Sequence, residues 1–184
     1  MDRQVDISSI YNQFGDAMYA YGRHLGFGED TVMDAVHDVF YKVCIAPKTL
    51  ESVSNLKFYL FRMLKNRLID IHRGNREIAE SDFTDDSLPF RLEVTIEDEI
   101  IEQEDQEEIV RQIEKILGEL TDRQREIIYL RYIHEYEYEE IAELMQISVL
   151  SCRNLISKAM TKLKDTSLPI AILALAIREL SFLM

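Results

Sequence analysis

Residues 139–164 read EEIAELMQISVLSCRNLISKAMTKLK, and two helical patterns flank a short break within this stretch. From 149 to 164, apolar residues recur at intervals of three and four, which is the spacing of one buried face of an α-helix. A shorter helix is predicted over 139–145. Two helices joined by so short a break form a helix-turn-helix, whose second helix can enter the major groove of DNA.

The break at Gln146, Ile147 and Ser148 carries side chains that suit such a turn. Ser148 can accept a hydrogen bond from the first turn of the second helix and thereby cap it. Ala142 is small where the two helices must cross closely, and Ile147 is apolar and can anchor the turn. Gln146 stands where glycine would most easily adopt a left-handed backbone, which is unfavourable but does not prevent the turn.

A second cationic helix is predicted over residues 57–73, with one apolar face and one basic face. The apolar face holds Phe58, Phe61, Leu64, Leu68 and Ile71. The side chains that project mostly elsewhere are Lys57, Arg62, Lys65, Asn66, Arg67 and Arg73. Because only Asp70 opposes the basic residues, the helix offers a track for phosphates, and Phe58, Tyr59 and Phe61 offer aromatic surface for unstacked bases. A merely solvated basic face is the alternative.

Composition predicts an all-α protein and places its negative charge in one segment. The chain has 184 residues, with only three prolines and six glycines, and helical spacing fills most of it. The net charge of −13 would ordinarily disfavour nucleic-acid binding. However, residues 74–108 carry fourteen acidic and two basic side chains, so almost all of the excess lies between the two cationic helices.

These patterns divide the chain into four parts. Residues 1–75 and 109–165 are predicted to form two small helical bundles, and 76–108 an acidic, mostly solvated linker. Thr121 and Asp122 are expected to cap a helix in the second bundle. The last part, 166–184, is apolar, and we expect it to pack on the second bundle as an extra helix, to self-associate or to mask a binding face.

Other classes of protein find little support in the sequence. Cys44 and Cys152 are far apart and form no disulfide or zinc pattern, and the four histidines lack metal-ligand spacing, so no metal and no cofactor are predicted. The N-terminal residues lack the features of a signal peptide, and no apolar run is long enough to span a bilayer. We therefore expect a cytoplasmic protein, with no membrane insertion, no small-molecule substrate and no enzymatic activity.

Three stretches, taken in order, resemble the sigma-70 family of RNA polymerase sigma factors, and among them the extracytoplasmic-function (ECF) group. Asp34 to Phe40 resembles region 2.2, and Tyr59 to Arg73 resembles regions 2.3 and 2.4. Residues 120–132, continuing through 138–142 to Lys158 and Ala159, are similar to region 4. The resemblance covers residues 7–164. It implies a two-module fold, sigma region 2 and sigma region 4, and a non-enzymatic factor that directs core RNA polymerase to promoters.

The resemblance also implies partners and binding residues. The expected partners are core RNA polymerase, promoter DNA and, in many members, an anti-sigma factor. The polymerase would be bound by Asp34, His37, Asp38, Phe40 and Tyr41. The −10 element would be bound by Lys57, Tyr59, Arg62, Lys65, Asn66, Asp70 and Arg73. The −35 element would be bound by Ser151, Arg153, Asn154, Ser157, Lys158 and Lys162. The loop from Pro47 to Asn55, with Asn66, would capture a flipped base during promoter melting.

Several positions depart from the usual pattern of the family. His37 replaces a common glutamine, Tyr59 a common tryptophan, and the sequence Ser-Cys-Arg at 151–153 a common Thr-Val-Lys. The promoter sequence is therefore not transferable from the family. The acidic linker could also occupy the positively lined RNA exit path of a polymerase by mimicking nucleic acid.

Two other classes of function compete with this interpretation. A regulator of the LuxR type would share the helix-turn-helix and bind operators alone, but its N-terminal half would need a β/α alternation, whereas 7–73 is helical in pattern. A metal-dependent nuclease could use the acidic stretch, but those carboxylates lie in chain without helical periodicity.

Overall fold

Seven α-helices form the structure, a computed structural model that describes residues 6–47, 50, 53–74, 88–92 and 103–164. They are α1 (Ile7–His24), α2 (Glu29–Ile45), α3 (Leu56–Gly74), α4 (Gln103–Glu119), α5 (Asp122–Tyr132), α6 (Tyr138–Leu144) and α7 (Val149–Lys164). No strand occurs in these ranges, so the all-α prediction is confirmed. The chain divides into two compact units, Met1–Leu88 and Pro89–Met184.

The first unit is a bundle in which α1, α2 and α3 each pack on the other two. Asp6 caps α1 by accepting a hydrogen bond from the Ser9 amide at 3.2 Å, and Asn55 accepts one from the Phe58 amide at 3.1 Å. Breaks in the chain separate the three helices: Gly26 adopts a φ of 82° after α1, and α2 ends at Ile45, before Pro47.

Close approach at Gly22 fixes the position of α3 in this bundle. A Cβ atom on Gly22 would lie 2.6 Å from Val32 Cγ1 and 3.4 Å from Leu68 Cδ1, so α2 and α3 both reach the backbone of α1 there. Such contact needs a residue without a side chain. The apolar residues of α3 that fill the centre of the unit include Leu60, Phe61, Leu64 and Leu68, none of which has any exposed surface.

The second unit is built around α5, which is buried on most of its circumference and packs against α6 and α7. Thr121 and Gln124 form a capping box: the Thr121 hydroxyl accepts from the Gln124 amide at 3.3 Å, and the Gln124 side chain accepts from the Thr121 amide at 3.1 Å. The predicted cap at residue 121 is thus confirmed.

The sequence predicted a mostly solvated acidic linker, but one part of this segment is buried. Phe90 is 1 % exposed, and its ring centroid lies 5.4 Å from that of Tyr129 on α5. Its amide donates to Asp122 Oδ1 at 3.0 Å, and its carbonyl accepts from Arg125 Nε at 2.7 Å. In addition, α4 begins at Gln103, before the expected boundary at 109. Residues 76–87 and 93–102, on which the hypothesis of RNA mimicry mainly rests, and residues 166–184 lie outside the described ranges.

Arg125 holds this arrangement together. Its guanidinium forms an ion pair with Asp122 and donates to the carbonyls of Leu117 and Leu120 at 2.9 and 2.6 Å. These carbonyls lie at the end of α4, where the backbone acceptors lack partners within the helix. One side chain therefore joins the end of α4, the start of α5 and the backbone at Phe90.

Candidate nucleic-acid interface

Hydrogen bonds define the turn between α6 and α7. The Ile147 amide donates to the Ala142 carbonyl at 2.9 Å, and Gln146 has a φ of 54°, so a left-handed residue ends α6. The Arg123 guanidinium, from α5, donates to the Met145 carbonyl at 3.1 Å. The turn therefore has the backbone that the sequence predicted, with glutamine in the position that glycine adopts most easily.

Ser148 caps the second helix, as predicted. Its hydroxyl oxygen accepts from the Ser151 amide at 3.0 Å and lies 2.8 Å from the Ser151 hydroxyl. The first turn of α7 is thus fixed by a local network. Because both hydroxyls share this hydrogen bond, part of the polar capacity of Ser151 is already used within the protein.

The exposed face of α7 contains every residue predicted to bind the −35 element. The side chains that point inward are Cys152, Ile156, Ala159 and Leu163, which are buried. The predicted residues are all exposed: Ser151, Arg153, Asn154, Ser157, Lys158 and Lys162. No acidic residue occurs in α7. The helix therefore presents polar and positively charged groups to a partner on one side while its other side packs on α5 and α6.

Two of these basic residues have partners within the protein. The Arg153 guanidinium lies 5.3 Å from the centroid of the Tyr138 ring, and the Arg131 guanidinium lies 4.9 Å from the same centroid. The Lys162 ammonium donates to the Glu119 carbonyl at 2.8 Å, at the end of α4. Arg153 is therefore oriented by an aromatic ring, whereas Lys162 also helps to hold α7 on α4.

The predicted −10 residues on α3 do not form one surface. Exposed side chains recur along one stripe of the helix, at Arg62, Asn66, Asp70 and Arg73. Lys57 and Tyr59 are partly buried. Lys65 is only 1 % exposed, so the structure does not present its ammonium to DNA. The reason is geometric, because Lys65 lies next to Leu64 on the wide inner face of α3. The aliphatic stem of a lysine can lie among apolar side chains.

The proposed aromatic surface of α3 also needs correction. Phe61 is fully buried, with its ring centroid 5.3 Å from that of Tyr21, so it belongs to the core and cannot stack on bases. Phe58 and Tyr59 are partly exposed and keep some accessible ring surface. Residues 48, 49, 51 and 52 of the predicted base-capture loop from Pro47 to Asn55 lie outside the described residues.

The outer face of α2 contains a row of exposed apolar and aromatic side chains. Met33, His37, Tyr41 and Ile45 follow one another at intervals of four and are all exposed, and Tyr41 and Ile45 are about two-thirds exposed, at 67 and 66 %. Sequence reasoning had included His37 and Tyr41 but had missed Met33 and Ile45. The spacing of four could have revealed both.

The other predicted polymerase-binding residues have different surroundings. Asp34 is exposed, and Asp38 is half-exposed and accepts a hydrogen bond from Arg67 Nε at 2.7 Å. Phe40 is 5 % exposed, and its ring meets that of Tyr11 edge to face at 4.9 Å, so it is a core residue and not a contact residue. The ion pair to Asp38 ties α2 to α3.

Groups that could perform chemistry are few in the part of the chain that is described. Burial raises the pKa of the Cys152 thiol, and burial likewise raises the pKa of the Tyr129 and Tyr136 hydroxyls. No group of residues suited to hold a metal ion is found in the described ranges. Of the helices in those ranges, none is long and apolar enough to cross a membrane.

Comparisons with known proteins agree with this two-module arrangement. The family model for sigma-70 region 2 matches residues 10–78, and the model for sigma-70 region 4 matches residues 110–163. The ECF RNA polymerase sigma factor SigM of Bacillus subtilis is 24 % identical over 159 residues, which are 86 % of this chain and 93 % of SigM. SigX of the same organism is 25 % identical over 142 residues, 76 % of this chain and 72 % of SigX.

Solved structures show the same fold. The sigma factor RpoE from Bartonella quintana, solved in complex with the anti-sigma factor NepR, is 25 % identical, with a TM-score of 0.57 over 87 % of this chain and 95 % of that one. CnrH, solved in complex with the cytosolic domain of CnrY, is 22 % identical, with a TM-score of 0.50 over 89 % of this chain and 88 % of that one.

The fold and the exposed cationic helix define a two-module, helix-turn-helix protein. The chain belongs to the sigma-70 family, and within it to the ECF sigma factors. It is therefore a transcription initiation factor of a family that associates with RNA polymerase and promoter DNA and that is not enzymatic.

Proposed function

We propose that this protein gives core RNA polymerase its promoter specificity, with α7 in the major groove of the −35 element and α3 at the −10 element. The observation that carries the proposal is the exposed face of α7, where all six predicted contact residues are exposed on a helix without an acidic residue. A capped, fixed helix with polar and cationic side chains can make both base and phosphate contacts. The match of residues 10–78 to region 2 favours this function over an operator-binding regulator of the LuxR type.

At the −35 element, the residues of α7 would divide their roles. Arg153, held against Tyr138, and Asn154 would meet base edges near the start of the helix. Ser157 and Lys158 lie one turn further along the same exposed face and would contact the backbone. Ser151 and Lys162 would contribute less, because each already has a hydrogen bond within the protein.

At the −10 element, the exposed stripe of α3 would contact the DNA. Arg62 and Arg73 supply positive charge at its two ends, and Asn66 lies between them where it can bind a flipped base during melting. Lys57 and Tyr59 would contribute through their accessible portions. Lys65 would not contact the DNA, because its side chain is buried.

The outer face of α2 would bind the polymerase. Exposed apolar area on this face is provided by Met33, Tyr41 and Ile45, and the centre of a protein interface is typically apolar. Asp34 provides a charge beside this area. The ion pair between Asp38 and Arg67 would keep α2 in place relative to α3. Binding would occur in the bacterial cytoplasm, where the polymerase is found. We further propose an anti-sigma partner, by analogy with the solved complex of RpoE with NepR.

The decisive experiment is transcription in vitro on sheared genomic DNA from the source bacterium, using its core polymerase with and without this protein. We expect new transcript starts that share two spaced upstream elements. If the protein neither binds core polymerase nor produces new starts, the operator-binding regulator replaces this function. A start pattern that is unchanged despite tight polymerase binding would also contradict the proposal.

Polymerase binding through α2 can be tested separately. Replacing Tyr41 by alanine should weaken the affinity for core polymerase by about fivefold or more, because a well-covered aromatic contact contributes at least about 1 kcal/mol. The matched control is Tyr132→Ala, which removes an exposed tyrosine from the second unit, 43 % exposed. Equal affinity for both variants and the unmodified protein would show that the outer face of α2 is not the polymerase surface.

A further inference from the structure

Leu150 is the most exposed of the large apolar side chains in the described residues, with 69 % of its surface accessible. Single exposed leucines are common and need no function in themselves. The position of this one is different, because it is the second residue of α7, the helix that would lie in the major groove of the −35 element. Residues near the start of such a helix are those that meet base edges.

Leu150 begins the exposed face of α7 and does not continue the buried one. Asn154, Ser157 and Lys158 follow it at distances of four, seven and eight residues, so the four side chains lie on one side of the helix. The buried residues Cys152 and Ile156 occupy the other side. Leu150 therefore points in the direction of the polar contact residues.

The polar groups next to Leu150 are already partly engaged. The hydroxyls of Ser148 and Ser151 lie 2.8 Å apart and share a hydrogen bond, and the Ser148 oxygen also accepts from the Ser151 amide. The first turn of α7 consequently presents the isobutyl group of Leu150 at a position where a polar side chain would be expected to contact the bases. The C5 methyl of thymine is the one alkyl group that the four bases present in the major groove of DNA.

We propose that Leu150 is a specificity-determining residue that selects thymine at one position of the −35 element by covering its C5 methyl group. The inference rests on the proposed function, since it places α7 in the major groove. Removing a methyl-sized apolar contact corresponds to about a fourfold change in affinity. Leu150 would thus add a preference for one base without contributing charge or hydrogen bonds.

The test uses the full-length protein with core polymerase and a library of promoters randomised in the −35 element. The unmodified protein should select thymine at one position, and Leu150→Ala should lose that preference alone. Leu150→Met, which keeps an apolar side chain, should retain it. Because Leu150 is exposed, neither change should alter the thermal unfolding temperature.

A second measurement isolates the methyl group. Replacing the selected thymine by deoxyuridine keeps every hydrogen-bonding group of the base and removes only the methyl. This probe should bind the unmodified holoenzyme about fourfold more weakly, and it should bind the Leu150→Ala holoenzyme as well as the thymine probe does. Deoxyuridine at the other −35 positions serves as the internal control.

The outcomes separate this inference from the function on which it rests. If the protein initiates transcription, but Leu150→Ala selects the same sequences and deoxyuridine has no effect, Leu150 is merely an exposed leucine and the inference is wrong. If no −35 preference is selected by the unmodified protein either, the proposed function itself fails.

Discussion

The two cationic helices, α3 and α7, have similar sequence patterns, but the fold buries them to different extents. In α7 the buried residues are Cys152, Ile156, Ala159 and Leu163, one per turn, so a narrow stripe is covered. In α3 the buried residues come in neighbouring pairs, namely Leu60 with Phe61, Leu64 with Lys65 and Leu68 with Ile69. The covered face of α3 is therefore wider, with two buried residues per turn instead of one, and a basic residue at its edge becomes buried.

This difference shows what a pattern of charges can and cannot indicate. A basic residue outside the apolar stripe is exposed when the helix has one narrow contact face, as Lys158 is on α7. On α3, which packs against both α1 and α2, the same reasoning placed Lys65 at the DNA, but its side chain lies in the protein interior. Both helices pack against two others, so the width of the buried face, and not the number of neighbouring helices, decides which charges remain exposed.

The substitution with the largest expected effect on stability tests whether Lys65 is an interior residue. Replacing Lys65 by alanine should lower the free energy of unfolding of the first unit by about 2 to 4 kcal/mol, because a long buried side chain is lost. Urea unfolding followed by circular dichroism measures this change. Asn66→Ala, at the exposed neighbour, should stay within about 0.5 kcal/mol. If Lys65→Ala is as stable as the unmodified protein, the contrast between α3 and α7 is wrong.

The exposed counterpart, Lys158, should affect DNA binding and not stability. Lys158→Ala should weaken promoter binding by the holoenzyme by about tenfold and reduce the slope of log affinity against log salt by about 1, since one phosphate contact is lost. Lys115→Ala removes the same exposed charge from α4, outside the proposed interface. Identical salt slopes for the two variants would exclude a phosphate contact by Lys158.

The cap of α7 gives a smaller effect. Ser148→Ala removes the acceptor for the Ser151 amide and should lower the free energy of unfolding of the second unit by about 1 kcal/mol. Ser157→Ala makes the same chemical change in the middle of the same helix and should be close to neutral, because alanine is a better helix former. A cost at residue 157 equal to that at 148 would show that capping is not the cause.

The smallest effect concerns the ion pair between Arg67 and Asp38. Both side chains are about two-fifths exposed, at 39 and 43 %, so solvent screens the pair. A double-mutant cycle with Arg67→Ala and Asp38→Ala should give a coupling free energy of about 0.5 kcal/mol in urea unfolding. A coupling well above about 1 kcal/mol would mean that α3 is held to α2 by charge as well as by apolar packing.

Local signals in the sequence predicted most of the fold. Helical periodicity located α3, α6 and α7, and Thr121 and Ser148 were identified as caps from their residue types alone. Each of these features depends on interactions within a few residues. The left-handed backbone at Gln146 was also foreseen, because the turn requires it whatever the side chain.

Tertiary packing determined which aromatic and apolar side chains are exposed, and the sequence patterns did not predict this. Phe40 and Phe61 were assigned to binding surfaces, yet each is buried through contact with a distant aromatic ring, that of Tyr11 or Tyr21. Met33, Ile45 and Leu150 were missed because an apolar residue is normally assigned to the core. Exposure is a property of the assembled bundle, so residue type alone could not separate these two groups, although the spacing of four along α2 was a usable signal for Met33 and Ile45.

The position of Phe90 changes where the second module begins. A fragment that starts at 109, the boundary taken from periodicity, would lack both Phe90 and residues 103–108 of α4, and the Tyr129 ring would lose its contact with the Phe90 ring. Asp122 and Arg125 would also lose their backbone partners at that residue. The second unit should therefore be expressed from Pro89 or an earlier residue, because a module begins where its core is closed and not where its first helix starts.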